Sequence, residues 1–254
     1  MATYKKRGYK PKNEKEKVEV VEESSTTAEV FNTLDEGASR TEEWVEKNQK
    51  YIIGLIAIVA VLALAYIGYK NYIAEPKAKD AMNEMYTAKS YFDDAASGVA
   101  SDSLYKMALE GGEGKYGMLD IINEYGGTPA ANLANYYAGM AYLNLKDYKN
   151  AVTYLSDFSS DDNMLDPIAK GGIGDAFVQL GQQEDALEYY EKAFKAKTNT
   201  FTTPMYLMKA AKVALSLGNN SKALDYLKRI KAEFPNAAEA AKVDALIGKA
   251  EASL

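Results

Sequence analysis

An all-α fold, with a single N-terminal transmembrane helix followed by a solenoid of helical hairpins, is predicted by three observations. The 19 residues from Tyr51 to Tyr69 carry no charged side chain. Beyond Pro76, apolar residues recur at three- and four-residue spacing with almost no β-branched alternation, which is the period of amphipathic helices. The pairs Thr128-Pro129, Asp166-Pro167 and Thr203-Pro204 recur at intervals of 38 and 37 residues. Each sets a capping side chain before a proline that fits the first helical position, where its missing N–H costs nothing.

The first element is a tail, residues 1–38, which starts basic and turns acidic with few large apolar side chains. Such a composition cannot bury enough surface to offset chain entropy, so the tail is expected to be a disordered, charged segment on the cytoplasmic side. Ser39 with Glu42 reads as a capping box, and a helix over 39–75 is expected to begin there. Its central part, about 51–69, approaches the ~20 residues that a helix needs to cross a hydrocarbon core of about 30 Å. Ten of its residues are Leu, Ile or Val. At roughly 0.3–0.6 kcal/mol each, they favour insertion by about 3–6 kcal/mol, enough to decide for a membrane anchor.

Within that anchor Ile56 and Leu62 represent the lipid-facing core, while Tyr51 and Tyr69 stand at the headgroup levels. Fifty residues of charged sequence ahead of it make a poor signal-peptide n-region, so the anchor is expected to stay uncleaved. Basic residues near the membrane are balanced, with Arg40, Lys47 and Lys50 before it and Lys70, Lys77, Lys79 and Lys89 after it. Orientation rests on the short segment ahead of the anchor, residues 1–50, whose ten basic residues favour a cytoplasmic N-terminus and a translocated domain.

The domain over 76–254 opens with two helices. In the first, Ala78, Met82, Met85, Tyr86 and Phe92 are expected to form one apolar stripe. The run GGEGKYG that follows resembles a phosphate loop only superficially. No glycine stands five positions ahead of Gly114, and Tyr116 replaces the Ser or Thr that would hold magnesium. Asp102-Ser103-Leu104 fits a short O-glycosylation pattern of exported proteins, and Asp102 is equally a helix cap.

Three repeats follow, at about 129–163, 167–198 and 204–235, with a capping helix over 236–252 started by Asn236 and Glu239. Their recurring small residues are Gly139 and Ala151, Gly174 and Ala186, Ala211 and Ala223. A period near 34 residues with this order of small and aromatic positions is the tetratricopeptide (TPR) signature. The first helix of each hairpin lines a concave face in such solenoids. The protein-binding residues expected there are Tyr136, Met140 and Asn144, then Asp175 and Gln179, then Met208, Lys212 and Ser216. Of the positions matching a carboxylate clamp, Tyr136, Met140, Gly172, Met205 and Lys209, one alone is basic, so that clamp is not expected.

Composition narrows the function. The chain of 254 residues contains no cysteine and no histidine, which removes thiol nucleophiles, thiolate or imidazole metal sites and imidazole acid–base chemistry. Thirty basic against 36 acidic residues leave a net charge of −6, unfavourable to a nucleic-acid partner. Asp93-Asp94 and Asp161-Asp162 fall at helix ends, where solvated turn residues are expected in place of catalytic pairs. The expectation is a binding protein with no enzymatic activity, cofactor or metal.

The stretches WVEKNQK, MALEGG, INEYGGT and LANYYAGMAYLNLKDYKNAVTYL resemble the YfgM-like tetratricopeptide proteins over most of the chain from about Ala28. That resemblance implies a bacterial inner-membrane protein with its repeats in the periplasm. It further implies an ancillary subunit of the SecYEG translocon that meets a PpiD-like membrane chaperone and unfolded secretory proteins. A scaffold subunit of another envelope assembly is the alternative.

Overall fold

The computed structural model describes residues 27–98 and 102–253. All elements among them are helical, and they fall into two units that meet in sequence at Tyr69 and Lys70. The first contains one helix, α1, Thr27–Tyr69. It is long and apolar enough to cross a membrane, and its apolar side chains are unburied, with Tyr51, Ile56, Leu62 and Tyr69 all exposed. A soluble core helix of this composition would be covered.

The helix begins earlier than the capping box at Ser39 predicts, and residues 27–38, expected to belong to a disordered tail, are helical. Nucleating a helix is costly while extending one is cheap, so a stretch without proline and with a single glycine, Gly37, continues a helix already formed downstream. The rest of the expected tail, residues 1–26, lies outside the described residues.

The second unit starts with a π-helical turn, Lys70–Ala74, and α2, Glu75–Ala96. The buried face of α2 is Ala81, Met85, Ala88 and Ala95, with Phe92 half-buried beside them. Met82 and Tyr86, assigned to that stripe from the sequence, are exposed. Residues 81, 85, 88, 92 and 95 follow the helical period closely, whereas Met82 and Tyr86 sit about 100° round the axis. The face follows the small alanines because close approach to the next helices needs them.

Helices α3, Asp102–Glu110, and α4, Met118–Glu124, pack with α2 around the start of α5, Pro129–Asn144. The GGEGKYG run forms a tight turn bridged between Gly112 and Lys115, as a connection between α3 and α4. Three hairpins follow: α5 with α6, Tyr148–Asp157; α7, Leu165–Gln179, with α8, Gln183–Ala196; and α9, Thr202–Ser216, with α10, Asn220–Glu233. A 3₁₀ turn, Ala238–Lys242, and α11, Val243–Glu251, close the chain.

The three hairpin turns are copies of one another. Lys146, Gly181 and Gly218 have φ of 64°, 76° and 74°, the left-handed conformation that ends a helix. Asp147, Gln182 and Asn219 each donate their backbone N–H to the carbonyl five residues back, Tyr142, Phe177 and Ala214, at 2.8–2.9 Å. The side chains of Asp147 and Asn219 then cap the next helix by accepting from Asn150 N and Lys222 N. Two of the three turns use glycine, where a left-handed φ is free of strain, and the first uses Lys146 at a cost.

Helix starts follow the sequence less closely. Thr128 caps α5 as expected, accepting from Ala131 N at 3.2 Å with Pro129 at the first position. At the other two prolines the helix begins two residues before the proline. Asp162 Oδ1 accepts from Met164 N and Leu165 N at 2.8 and 2.9 Å, and Asn199 Oδ1 accepts from Phe201 N and Thr202 N at 2.9 and 2.7 Å. The prolines then sit in the first turn, where no N–H is needed. Asp166 instead pairs with Lys170 at 2.6 Å. Asn236 does not cap the last helix either. The expected single helix over 236–252 is split by the 3₁₀ turn, whose cap residue, Ala237, offers no side chain.

Small residues fix the hairpin spacing. A Cβ on Gly139 would stand 2.5 Å from the Leu155 side chain and 2.9 Å from its backbone nitrogen, and one on Gly174 would stand 2.7 Å from the Tyr190 ring. Ala151, Ala186, Ala211 and Ala223 are fully buried at the facing positions.

Candidate functional site

The first helices of neighbouring hairpins touch, α5 with α7 and α7 with α9, which sets them side by side on the inner face of the curve. The sequence-chosen residues divide sharply there. Asn144, Gln179, Lys212 and Ser216 are exposed, and Met140 is half-buried. Tyr136 and Met208 are 9% and 5% exposed, so neither is a free apolar anchor. The Tyr136 ring is wedged against Tyr137 and Phe158, with centroids 5.5 and 5.2 Å away. Asn144 turns its amide back to the Met140 carbonyl at 2.8 Å, and Ser216 Oγ donates to Val213 O at 2.7 Å and pairs with Gln183.

Asp175 is the main revision. Read from the sequence as an acid on the binding face, it is bound internally. Lys209 Nζ donates to both of its oxygens at 2.7 Å and Tyr190 Oη donates to Oδ1 at 2.6 Å. The ammonium also lies 5.8 and 5.6 Å from the rings of Tyr190 and Tyr206, which stack at 6.2 Å. Burial pushes both phenols well above their ordinary pKa, and the Asp175 charge adds to it. The Tyr206 ring occupies the space a side chain at Gly171 would need, 1.9 Å from an ideal Cβ.

On the opposite side a second acid joins the outer helices. Glu191 on α8 accepts from Lys222 at 2.5 Å and Tyr226 Oη at 2.7 Å, both on α10, and from Lys195 at 2.8 Å. Burial alone would push the carboxyl up, yet the hydrogen bonds from Lys195, Lys222 and Tyr226 more than offset it and hold it down to about 2.

The aspartate pairs lie at helix ends, Asp93-Asp94 in the last turn of α2 and Asp161-Asp162 ahead of α7. Asp162 caps α7, and the two backbone N–H groups that it accepts hold its carboxyl below the usual range. Asp93 pairs with Lys89, and the Asp94 carbonyl accepts from Ser97. No group of three metal-ligating side chains occurs among the described residues.

Sequence reasoning missed one recess. Met205, Met208, Lys209 and Lys212 of α9 face Ala238, Glu239 and Lys242 of the 3₁₀ turn across about 230 Å³. Its far wall comes from residues read as part of a straight capping helix. The signal that was present is Pro235-Asn236, which breaks the chain at that point.

Models of the tetratricopeptide repeat agree with this geometry. Residues 172–238 and 133–161 match two models of the tetratricopeptide repeat. No curated protein matches the chain. A solved structure of nearly identical TPR-like repeats from a kinesin light chain of Podosopora anserina is similar at 11% identity and a TM-score of 0.49, over 69% of this chain and 87% of that one. With the three matching turns and the small-residue contacts between paired helices, the two repeat models show that residues 133–161 and 172–238 carry tetratricopeptide repeats, a scaffold for protein–protein interaction.

Proposed function

We propose that this protein is a membrane-anchored protein-binding module whose repeats hold a partner on their inner face, and that it serves as an ancillary subunit of the Sec translocon. The observation that carries the anchored part is the unburied apolar surface of α1 over Tyr51–Tyr69. The repeats carry the binding part. Orientation with the tail cytoplasmic and the repeats periplasmic is favoured by the basic residues of the tail. The translocon, a PpiD-like chaperone and unfolded secretory chains as partners rest on the resemblance to YfgM-like proteins.

On the inner face the exposed side chains are mostly polar, and Met140 in the first repeat is half-buried. Contact energy therefore comes from few points, while charges at the edge steer encounter. The test is photo-crosslinking in intact membranes from Leu62, Met140 and Lys192, followed by identification of the products. Products from Met140 and Leu62 that include translocon or chaperone subunits, with none from the outer position Lys192, are expected. Products from Lys192 alone would move the binding surface to the convex side. Inner-face products from an unrelated envelope assembly would replace the Sec reading with that of a different scaffold. Protease added to spheroplasts is expected to digest the region after Lys70.

A further inference from the structure

The recess between α9 and the 3₁₀ turn has a composition unlike the rest of the inner face. Its floor is the half-buried Met205 over the buried Met208, unbranched side chains that adapt to varied apolar shapes. Its rim holds Lys209, Lys212 and Lys242 against one acid, Glu239. Lys209 is neutralised by Asp175. Lys212 and Lys242 have no ion-pair partner among the described residues, and both are exposed, so the rim is positive in a chain whose net charge is −6. A volume of about 230 Å³ falls below the roughly 300–1,000 Å³ of small-molecule sites. It suits one large side chain of a longer ligand better than a metabolite.

Resting on the protein-binding reading above, we propose that this end of the inner face receives an acidic peptide segment bearing one aromatic or long aliphatic side chain. That side chain seats on Met205, which Met208 backs from beneath, and carboxylates before and after it pair with Lys212 and Lys242. Charge complementarity selects the occupant. A basic segment meets two unpaired lysines, and a purely polar acidic one leaves the methionine floor wet. The site differs from a carboxylate clamp because the lysines stand on two elements on either side of an apolar floor, so internal acidic side chains satisfy them and a free C-terminus is not required.

The test uses the full chain in lipid nanodiscs and three fluorescent peptides blocked at both ends: Glu-Glu-Phe-Glu-Glu, Glu-Glu-Ser-Glu-Glu and Lys-Lys-Phe-Lys-Lys. Fluorescence anisotropy is expected to show binding of the first, at least tenfold weaker binding of the other two, and a fall in affinity with added salt. Lys212→Ala with Lys242→Ala is expected to lower affinity for the first peptide by about tenfold or more, because both side chains are exposed and their loss removes the attraction without a cavity. Met205→Ser is expected to lower it as well, and Met205→Leu to restore it, whereas the outer pair Lys192→Ala with Lys228→Ala leaves it unchanged. Equal binding of all three peptides, or affinity insensitive to the Lys212 and Lys242 changes in protein with an unaltered melting curve, overturns the inference. Inner-face crosslinks from Met140 that persist in that case leave the protein-binding reading intact.

Discussion

The junction between the first and second repeats and the junction between the second and third use the same backbone arrangement and opposite chemistry. At the first, Tyr136, Leu155, Ala169 and Ile173 meet with Met140 and Phe158 in an apolar contact. At the second, two half-buried acids are threaded through the contact, Asp175 with Lys209 and Tyr190 on the inside and Glu191 with Lys222 and Tyr226 on the outside. Apolar contacts tolerate small shifts, because dispersion and area change gradually with position. A charged hydrogen-bonded cluster fixes one geometry and is costly to leave incomplete. The first junction therefore has slack that the second lacks.

Adjacent glycines on α7 offer the sharpest test of that contrast. A Cβ on Gly171 would fall 1.9–2.0 Å from the Tyr206 ring, whereas one on Gly172 would fall 3.0 Å from a terminal methyl of Leu155 and 3.5 Å from the Met140 sulfur. Gly171→Leu is expected to destabilise by about 3 kcal/mol or more, since the stacked Tyr206 cannot give way without breaking its contact with Tyr190. Gly172→Ala is expected to stay within about 0.5 kcal/mol of the parent, with the helix propensity gained set against a small displacement of flexible side chains. Thermal melting of both variants decides the matter, and equal losses would erase the distinction between the junctions.

Asp175→Ala is expected to cost about 1–3 kcal/mol, because Lys209 and the buried Tyr190 hydroxyl lose their acceptor. Urea unfolding measures it, and restoration by Asp175→Asn to half or more would show that hydrogen bonding outweighs charge. Acid is expected to act on the outer cluster. The Glu191 carboxyl is held at about 2 in the folded chain against an ordinary value of 4.5. Its contribution is therefore complete above pH 4.5 and is lost as pH falls from there through 2. Allowing for solvent screening of Lys195 and Lys222, that amounts to about 1–2 kcal/mol. Unfolding curves of the parent and Glu191→Gln, compared between pH 6 and 3, are expected to converge in acid. A gap that stays constant would place the stabilisation elsewhere.

The smallest effect concerns the first hairpin. Lys146→Gly is expected to raise stability by about 0.5–1 kcal/mol, since the other two repeats already use glycine at this left-handed turn. A fall in melting temperature would mean that the lysine side chain makes a compensating contact.

These examples also separate what could be read from the sequence. Gly139, Gly174, Ala186 and Ala223 were legible as close-contact positions because small residues at repeat spacing have few other uses, and paired helices follow from them. Proline spacing located each hairpin only to within a turn, since a proline is tolerated at any of the first helical positions and the caps, Asp162 and Asn199, stand further upstream. The state of Asp175 was not legible, because its partner Lys209 lies 34 residues away on another hairpin. Nor was the recess at the end, which depends on how the chain bends after Pro235.

The bend itself has a dynamic consequence. Among the described residues, Ala238–Lys242 and α11 pack on α9 and α10 with no repeat stacked beyond them, and α11 is held to α10 by two polar clips, Asn220 to the Ser253 carbonyl and Lys231 to Asp244, both at 2.6 Å, together with Val243 and Ala250. In a one-dimensional stack the terminal unit has the lowest opening free energy, so its amides are expected to exchange with deuterium before those of α7 and α8. Anything bridging α9 and the 3₁₀ turn would suppress that fraying. Slowed exchange in α11, far from any contact with the bound molecule, would report occupancy of the recess.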